Sequence, residues 1–204
     1  MEDKECVSRM IKRKAIIGVL AIGLALTLPF LIARYQQKQF RNFRVVKNGV
    51  LYRSGQMTLA GVKKVVKDLQ IKTIISLRDS HDTSRPAPDA QEEEFSRSQG
   101  IRFLRLSPKR WEAEVGEPPV MENVRRFVDT LNDPKCHPVL VHCFAGIHRT
   151  GSYCAIYRME FEGWSNSQAI EELKKLGYHD LEKEPDVFGF LKNYRPTHGS
   201  GKNP

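Results

Sequence analysis

Cysteine is scarce in this sequence, with four in 204 residues (Cys6, Cys136, Cys143, Cys154). They are too few and too irregularly spaced to lay out a disulfide framework. Cys136, His137, His142, Cys143 and His148 lie close together in the chain, yet neither Cys-x-x-Cys nor His-x-x-x-His occurs. That spacing excludes the common zinc sites, and in a strand His142 and Cys143 would point to opposite faces. Internal repeats are absent, which excludes solenoids and propellers. Lys and Arg form no stripe with interleaved aromatics, so nucleic-acid binding has no support. The net charge of +9 does not contradict this. Residues 1–44 hold nine Lys/Arg against three Asp/Glu, and the other 160 hold 24 against 21.

Long hydrophobic runs are missing too, with one exception. Ala15 to Ala33, "AIIGVLAIGLALTLPFLIA", is 19 positions without a charge, and as a helix it would reach about 28 Å, near the hydrocarbon thickness of a bilayer. Lys12-Arg13-Lys14 would suit the basic start of a cleaved signal peptide. The run is longer than a usual signal core, however, and no small-x-small cleavage site follows it. The expectation is a single-pass anchor over 15–33, after a tail at 1–14 and before a basic link at 34–44. Its flanks tie at five Lys/Arg each: Lys4, Arg9, Lys12, Arg13, Lys14 against Arg34, Lys38, Arg41, Arg44, Lys47. The tight Lys12–Lys14 cluster favours a cytoplasmic N-terminus and an extracytoplasmic domain. The need for a reduced thiol favours the reverse. The cluster is given the greater weight.

Residues 45–196 read as one domain and 197–204 as a polar tail. "GVLYRSG" is a short strand running into a turn, and Thr58 is placed to cap a helix through Leu69. "IKTIISL" is a near-continuous apolar strand, as expected of one buried on both faces. After the loop "RDSHDTSRPAPD" come a helix closed by Gly100, the strand "IRFLRLS", the loop "PKRWEAEVGEPP" and the amphipathic helix "VMENVRRFVDTLN". "HPVLVHC" is the next strand. Helices follow at "TGSYCAIYRMEFEG", at "SNSQAIEELKKLG" (capped by Ser165 or Ser167) and at "EPDVFGFLKNY". The alternation implies an α/β fold, a central mostly parallel sheet flanked by helices. Ligands of such sheets bind beyond the carboxyl ends of the strands.

"VLVHCFAGIHRTG" (139–151) sits at such an end. The backbone N–H groups after Cys143 can curl around one tetrahedral anion, and the helix expected near Thr150 points its positive end there. Gly146 permits the close bend. Arg149 offers a planar fork for two phosphate oxygens. Phe144, Ala145, Gly146, Ile147, His148, Arg149 and Thr150 are therefore the expected phosphate cradle. Cys143 is the nucleophile, because these surroundings favour the thiolate. Thr150 has two readings, a donor to the sulfur or a plain helix cap. His142 is expected to brace the cysteine's backbone and His148 to pack the loop.

"HCFAGIHRTG" matches the His-Cys-x-x-Gly-x-x-Arg-Thr-Gly signature, and the chain resembles the protein tyrosine phosphatase superfamily over about residues 45–195. "LYRSGQ", "IKTIISLR", "GIRFLRLSP" and "PVLVHC" resemble, in order, its compact atypical dual-specificity branch, including membrane-anchored bacterial relatives. The resemblance implies that superfamily's cysteine-based phosphatase fold, with Cys143 as nucleophile, Arg149 as phosphate clamp, and no metal or organic cofactor. The implied partner is a phosphorylated protein or a small phosphorylated molecule. Two features depart from the pattern. Ile147 stands where the inositol-pyrophosphate branch usually has Lys, and the loop 107–119 has no Asp to serve as general acid. Glu112, Glu114 and Glu117 are the carboxylates there, and one of them is expected to take that role. The leading expectation is a phosphatase of phosphotyrosine, phosphoserine or phosphothreonine. The alternatives are a phosphoinositide or inositol (pyro)phosphate phosphatase and an inactive phosphate-binding module.

Overall fold

The computed structural model describes residues 2–79 and 84–197. Residues 80–83 of the loop expected after "IKTIISL", and 198–204 of the expected tail, lie outside them. The chain divides into two compact units, Met1–Gln39 and Phe40–Pro204. The first is one helix, α1 (Glu2–Gln39), with Pro29 inside it. The residues expected to form a tail and most of a link are therefore helical. Lys, Arg and Gln are good helix formers, and a helix nucleated in the apolar run extends through them at little cost. Ile16–Gln39 is long and apolar enough to cross a membrane, or to act as a signal sequence. Its apolar side chains, among them Ile16, Leu20, Leu24 and Phe30, lie all round the helix.

The second unit carries a five-stranded sheet. Its strands are β1 (Arg44–Lys47), β2 (Leu51–Ser54), β3 (Thr73–Ser76), β4 (Arg102–Arg105) and β5 (Val139–His142), in the order β1-β2-β5-β3-β4. Four run parallel, and β1 pairs antiparallel with β2 at the edge. "GVLYRSG" thus supplies β2 alone, and β1 is an addition to the expected strands. Its "RVVK" puts only two apolar residues between charges, and Val45 remains exposed, as suits an edge strand.

Strand alternation divides the core. Leu51, Ile75, Val139 and Val141 face one side, with α4 (Val120–Asn132), α5 (His148–Glu162), α6 (Asn166–Lys175) and α7 (Pro185–Asn193) contributing Phe127, Ile156, Leu173 and Leu191. Tyr52, Ile74 and Leu140 face the other, beneath α2 (Leu59–Leu69), which adds Val62 and Val65, and α3 (Ala90–Ser98), which adds Phe95. Local signals end the helices where expected. Thr58 accepts the Gly61 N–H, and Ser165, rather than Ser167, forms a capping box with Gln168. Gly163 closes α5 in the left-handed conformation.

Candidate active site

β5 lies between β2 and β3, and all three end together, with Ser54, His142 and Ser76 in register. The chain leaves β5 at Cys143 and turns within four residues into α5. The helix begins at His148 rather than near Thr150, so Arg149 and Thr150 stand in its first turn. This overturns the capping reading of Thr150. Ile147 is the cap residue and no side chain caps the helix. The Thr150 hydroxyl is fully buried, with no hydrogen-bond partner among the described residues.

Cys143 is buried, and the Gly146 N–H donates to its Sγ at 3.2 Å. The carbonyls of the turn point the other way, each with a donor. The Gln56 N–H reaches Phe144 O at 2.9 Å, and Asn42 Nδ2 reaches Ala145 O at 2.8 Å. Arg53 Nη2 reaches Gly146 O at 2.8 Å and Ile147 O at 3.5 Å. Gly146, at φ +75°, runs so close to the end of β2 that a Cβ there would meet Gly55 N at 2.3 Å. Only glycine fits this position.

Arg149 is half-buried and donates through Nη1 to Leu77 O at 2.7 Å. Leu77 itself donates its N–H to His142 O, which ties the end of β3 to the base of the turn. Arg78 follows it. Burial holds Arg78 below the ordinary guanidinium value, and Arg149 adds to this, while Asp89 and Cys143 oppose it. Phe144 is 51% exposed, with the Arg41 guanidinium 4.0 Å and the Arg78 guanidinium 5.2 Å from its ring centre. Two cations therefore flank the rim of the turn.

His142 points away from Cys143, as strand alternation requires, with Nε2 3.3 Å from Glu92 Oε1. Its Nδ1 lies 3.4 Å from the Cys143 carbonyl. Burial, with Asp89 adding, raises Glu92 above the usual carboxylate value; His142 and Gln56 oppose it. His148 stacks on Tyr178 at 4.3 Å. Glu112, Glu114 and Glu117 are exposed on the loop before α4, and Glu117 pairs with Arg125. Glu112 and Glu117 line a cavity of about 520 Å³ whose lining includes neither Cys143 nor Arg149. Among the described residues no hydrogen bond or ion pair joins any of the three to Cys143 or Arg149. Sequence reasoning assigned nothing to Asn42, Arg53, Gln56 or Arg78. Arg53 and Gln56 lay in "LYRSGQ" and Arg78 in "IKTIISLR", the only signal available.

A buried cysteine that accepts a backbone N–H of the turn after it, followed by an arginine in the first helical turn, is the arrangement of a cysteine-based phosphatase. Residues 31–186 match the family described as PTP-NADK, DSP-PTPase phosphatase fused to NAD+ kinase, and the chain belongs to that family. The family is of the dual-specificity phosphatase type, within the protein tyrosine phosphatase superfamily. The chain is similar to inositol diphosphatase DSP4 of Arabidopsis thaliana, 31% identical over 137 residues, 66% of this chain and 63% of that protein. The chain spans less than two thirds of that relative's length. Dual specificity protein phosphatase TpbA of Pseudomonas aeruginosa is 36% identical over 55 residues, 27% of this chain and 25% of TpbA. The TpbA crystal structure shares the fold, with a TM-score of 0.57 and 23% identity over 76% of this chain and 85% of that one. So does the catalytic core of the PP-IP phosphatase SIW14 of S. cerevisiae, at a TM-score of 0.56 and 21% identity, with the same coverages.

Proposed function

We propose that the chain hydrolyses phosphate monoesters through a phosphocysteine intermediate, with Cys143 as nucleophile and Arg149 as phosphate clamp. The observation that carries this reading is the turn itself, whose Gly146 N–H is directed at Sγ while the carbonyls of residues 144–147 are tied outward. The Cys143 thiolate attacks phosphorus, the P–S bond forms and the P–O bond to the leaving group breaks. The departing oxygen takes a proton from an acid on the protein. Water then attacks phosphorus, its proton passes to a base, and the P–S bond breaks to return the thiolate. Residues 144–150 receive the phosphoryl oxygens, and the unpartnered Thr150 hydroxyl is available to donate to the leaving sulfur.

The leading substrate class is phosphotyrosine, phosphoserine or phosphothreonine in a protein. A second reading, an inositol phosphate or phosphoinositide, draws support from Arg41 and Arg78 beside Phe144. These supply cations that Ile147, replacing the lysine of the pyrophosphatase branch, does not. The N-terminal helix supports placement in a membrane.

One experiment tests the reaction and sorts the substrates. The full chain and Cys143→Ser are assayed against para-nitrophenyl phosphate, phosphopeptides, phosphoinositides and soluble inositol phosphates. The wild type should trap a phosphocysteine on acid quench, and Cys143→Ser should lose turnover while still binding phosphate. Residual hydrolysis by Cys143→Ser would remove cysteine from the mechanism. An inactive wild type that binds phosphate would leave the binding-module reading.

A further inference from the structure

Arg53 is 3% exposed, and among the described residues no carboxylate pairs with it. Its Nη2 donates to the carbonyls of Gly146 and Ile147, and its Nε is buried with no partner. A Cβ on Gly151, in the first turn of α5, would stand 3.3 Å from Nη2, so the guanidinium fills the space directly beneath that turn. Burying a cation without a counter-ion is costly, and the cost falls when an anion arrives nearby. The turn above is where the reading just given places one.

A trans peptide group is planar, with its C=O and N–H antiparallel. The peptides of the turn are trans, since the one cis bond is His137–Pro138. Each carbonyl held outward therefore aims the next residue's N–H inward. The relation is visible at one position, where Asn42 holds Ala145 O and the Gly146 N–H of the same peptide reaches Cys143 Sγ. By the same rule Gln56 N sets the Ala145 N–H and Arg53 sets the Ile147 N–H, while the His148 N–H follows from the Gly151 N–H bond to Ile147 O at 2.9 Å, which Arg53 supplements at 3.5 Å.

We propose that Arg53, assisted by Asn42, is a positioning residue: it orients the peptide planes of residues 145–147 so that the Gly146 and Ile147 N–H groups converge on the phosphoryl oxygens, and it supplies a buried positive charge behind them. The proposal rests on the phosphocysteine reading. Amides aimed at the bipyramidal transition state act mainly on the chemical step, so kcat should suffer more than KM.

The test uses the purified full-length protein in detergent, with para-nitrophenyl phosphate as substrate and orthovanadate as the transition-state probe. Arg53→Met should lower kcat about 10²–10³-fold, the scale of a lost oxyanion donor, weaken vanadate inhibition comparably, and move KM less than about threefold. Arg53→Lys, which keeps the charge and one donor, should recover at least about tenfold of that loss. Asn42 is exposed at φ +47°, a conformation glycine also adopts freely, so Asn42→Gly removes the donor without straining the backbone. It should lower kcat and vanadate affinity together, by about 3–10-fold. If Arg53→Met does not fold, Asn42→Gly decides the matter. Variants with wild-type kcat and vanadate affinity would overturn the proposal, as would a kcat loss that leaves vanadate affinity untouched. An inactive wild type would instead overturn the phosphocysteine reading.

Discussion

A carboxyl with 4% exposure, Glu92, and an imidazole with 1%, His142 at the end of β5, stand side by side. Burial, more than any neighbour, raises the Glu92 pKa from its ordinary 4.5, so the folded protein holds that proton more tightly than the unfolded chain does. Stability from this group is therefore full below pH 4.5 and lost as pH rises through the raised folded value. Glu92→Gln keeps the hydrogen-bonding shape and removes the ionisation. The variant should match the wild type near pH 4 and melt higher than it at pH 8. Thermal unfolding across that range checks it, and a variant that melts lower at pH 8 would show the charge pair with His142 to be net stabilising. The turn that carries Cys143 and Arg149 was legible in the sequence because its residues are consecutive. Glu92, Asn42 and Arg53 were not. The contacts of Asn42 and Arg53 with the turn cross 93 to 103 positions of chain, and nothing local marks them.

Elements show the same division. Thr58, Ser165 and Gly163 announce helix ends because capping is chemistry between neighbours. The edge strand β1 and the full length of α1 were hidden, because pairing with β2 and extension through charged flanks leave no apolar period to read. The turn after β5 is an element in its own right, wedged backbone to backbone against Ser54 and Gly55. Gly146→Ala should therefore be severe. Its Cβ would press on backbone atoms that cannot swing aside, at a φ of +75°. The combined cost of overpacking and left-handed strain is roughly 2–5 kcal/mol. Urea unfolding should report that loss together with a fall in phosphate binding. A variant with unchanged phosphate affinity would mean that the turn has room to shift.

At the scale of the whole chain, the two units call for different tests. Ile16–Ile32 is an apolar stretch of the first unit, and about 20 such residues suit a bilayer core. The full chain should fractionate with membranes and resist high-salt and carbonate extraction, whereas residues 40–204, which carry both hydrophobic clusters of the sheet, should be soluble and active. Release of the full chain by salt alone would place α1 on a surface or show it to be cleaved. The class of the globular unit was legible from its alternating elements, but the order of its strands was not, because periodicity says nothing about which strand lies beside which.

That strand order has a consequence in time. β5 is the last strand made and the middle one in space, between β2 and β3. A growing chain can form the β1–β2 ribbon and the β3–β4 pair, but among the described residues no strand pairing joins them until Val139–His142 arrives. Closing such long loops is slow, and the contacts that repay the entropy come together at the end. The strand that closes the sheet is also the one that delivers Cys143. A nascent or partly folded chain therefore lacks the turn seated against Ser54 and Gly55, and the Cys143 thiol is enclosed in the same step that completes the fold.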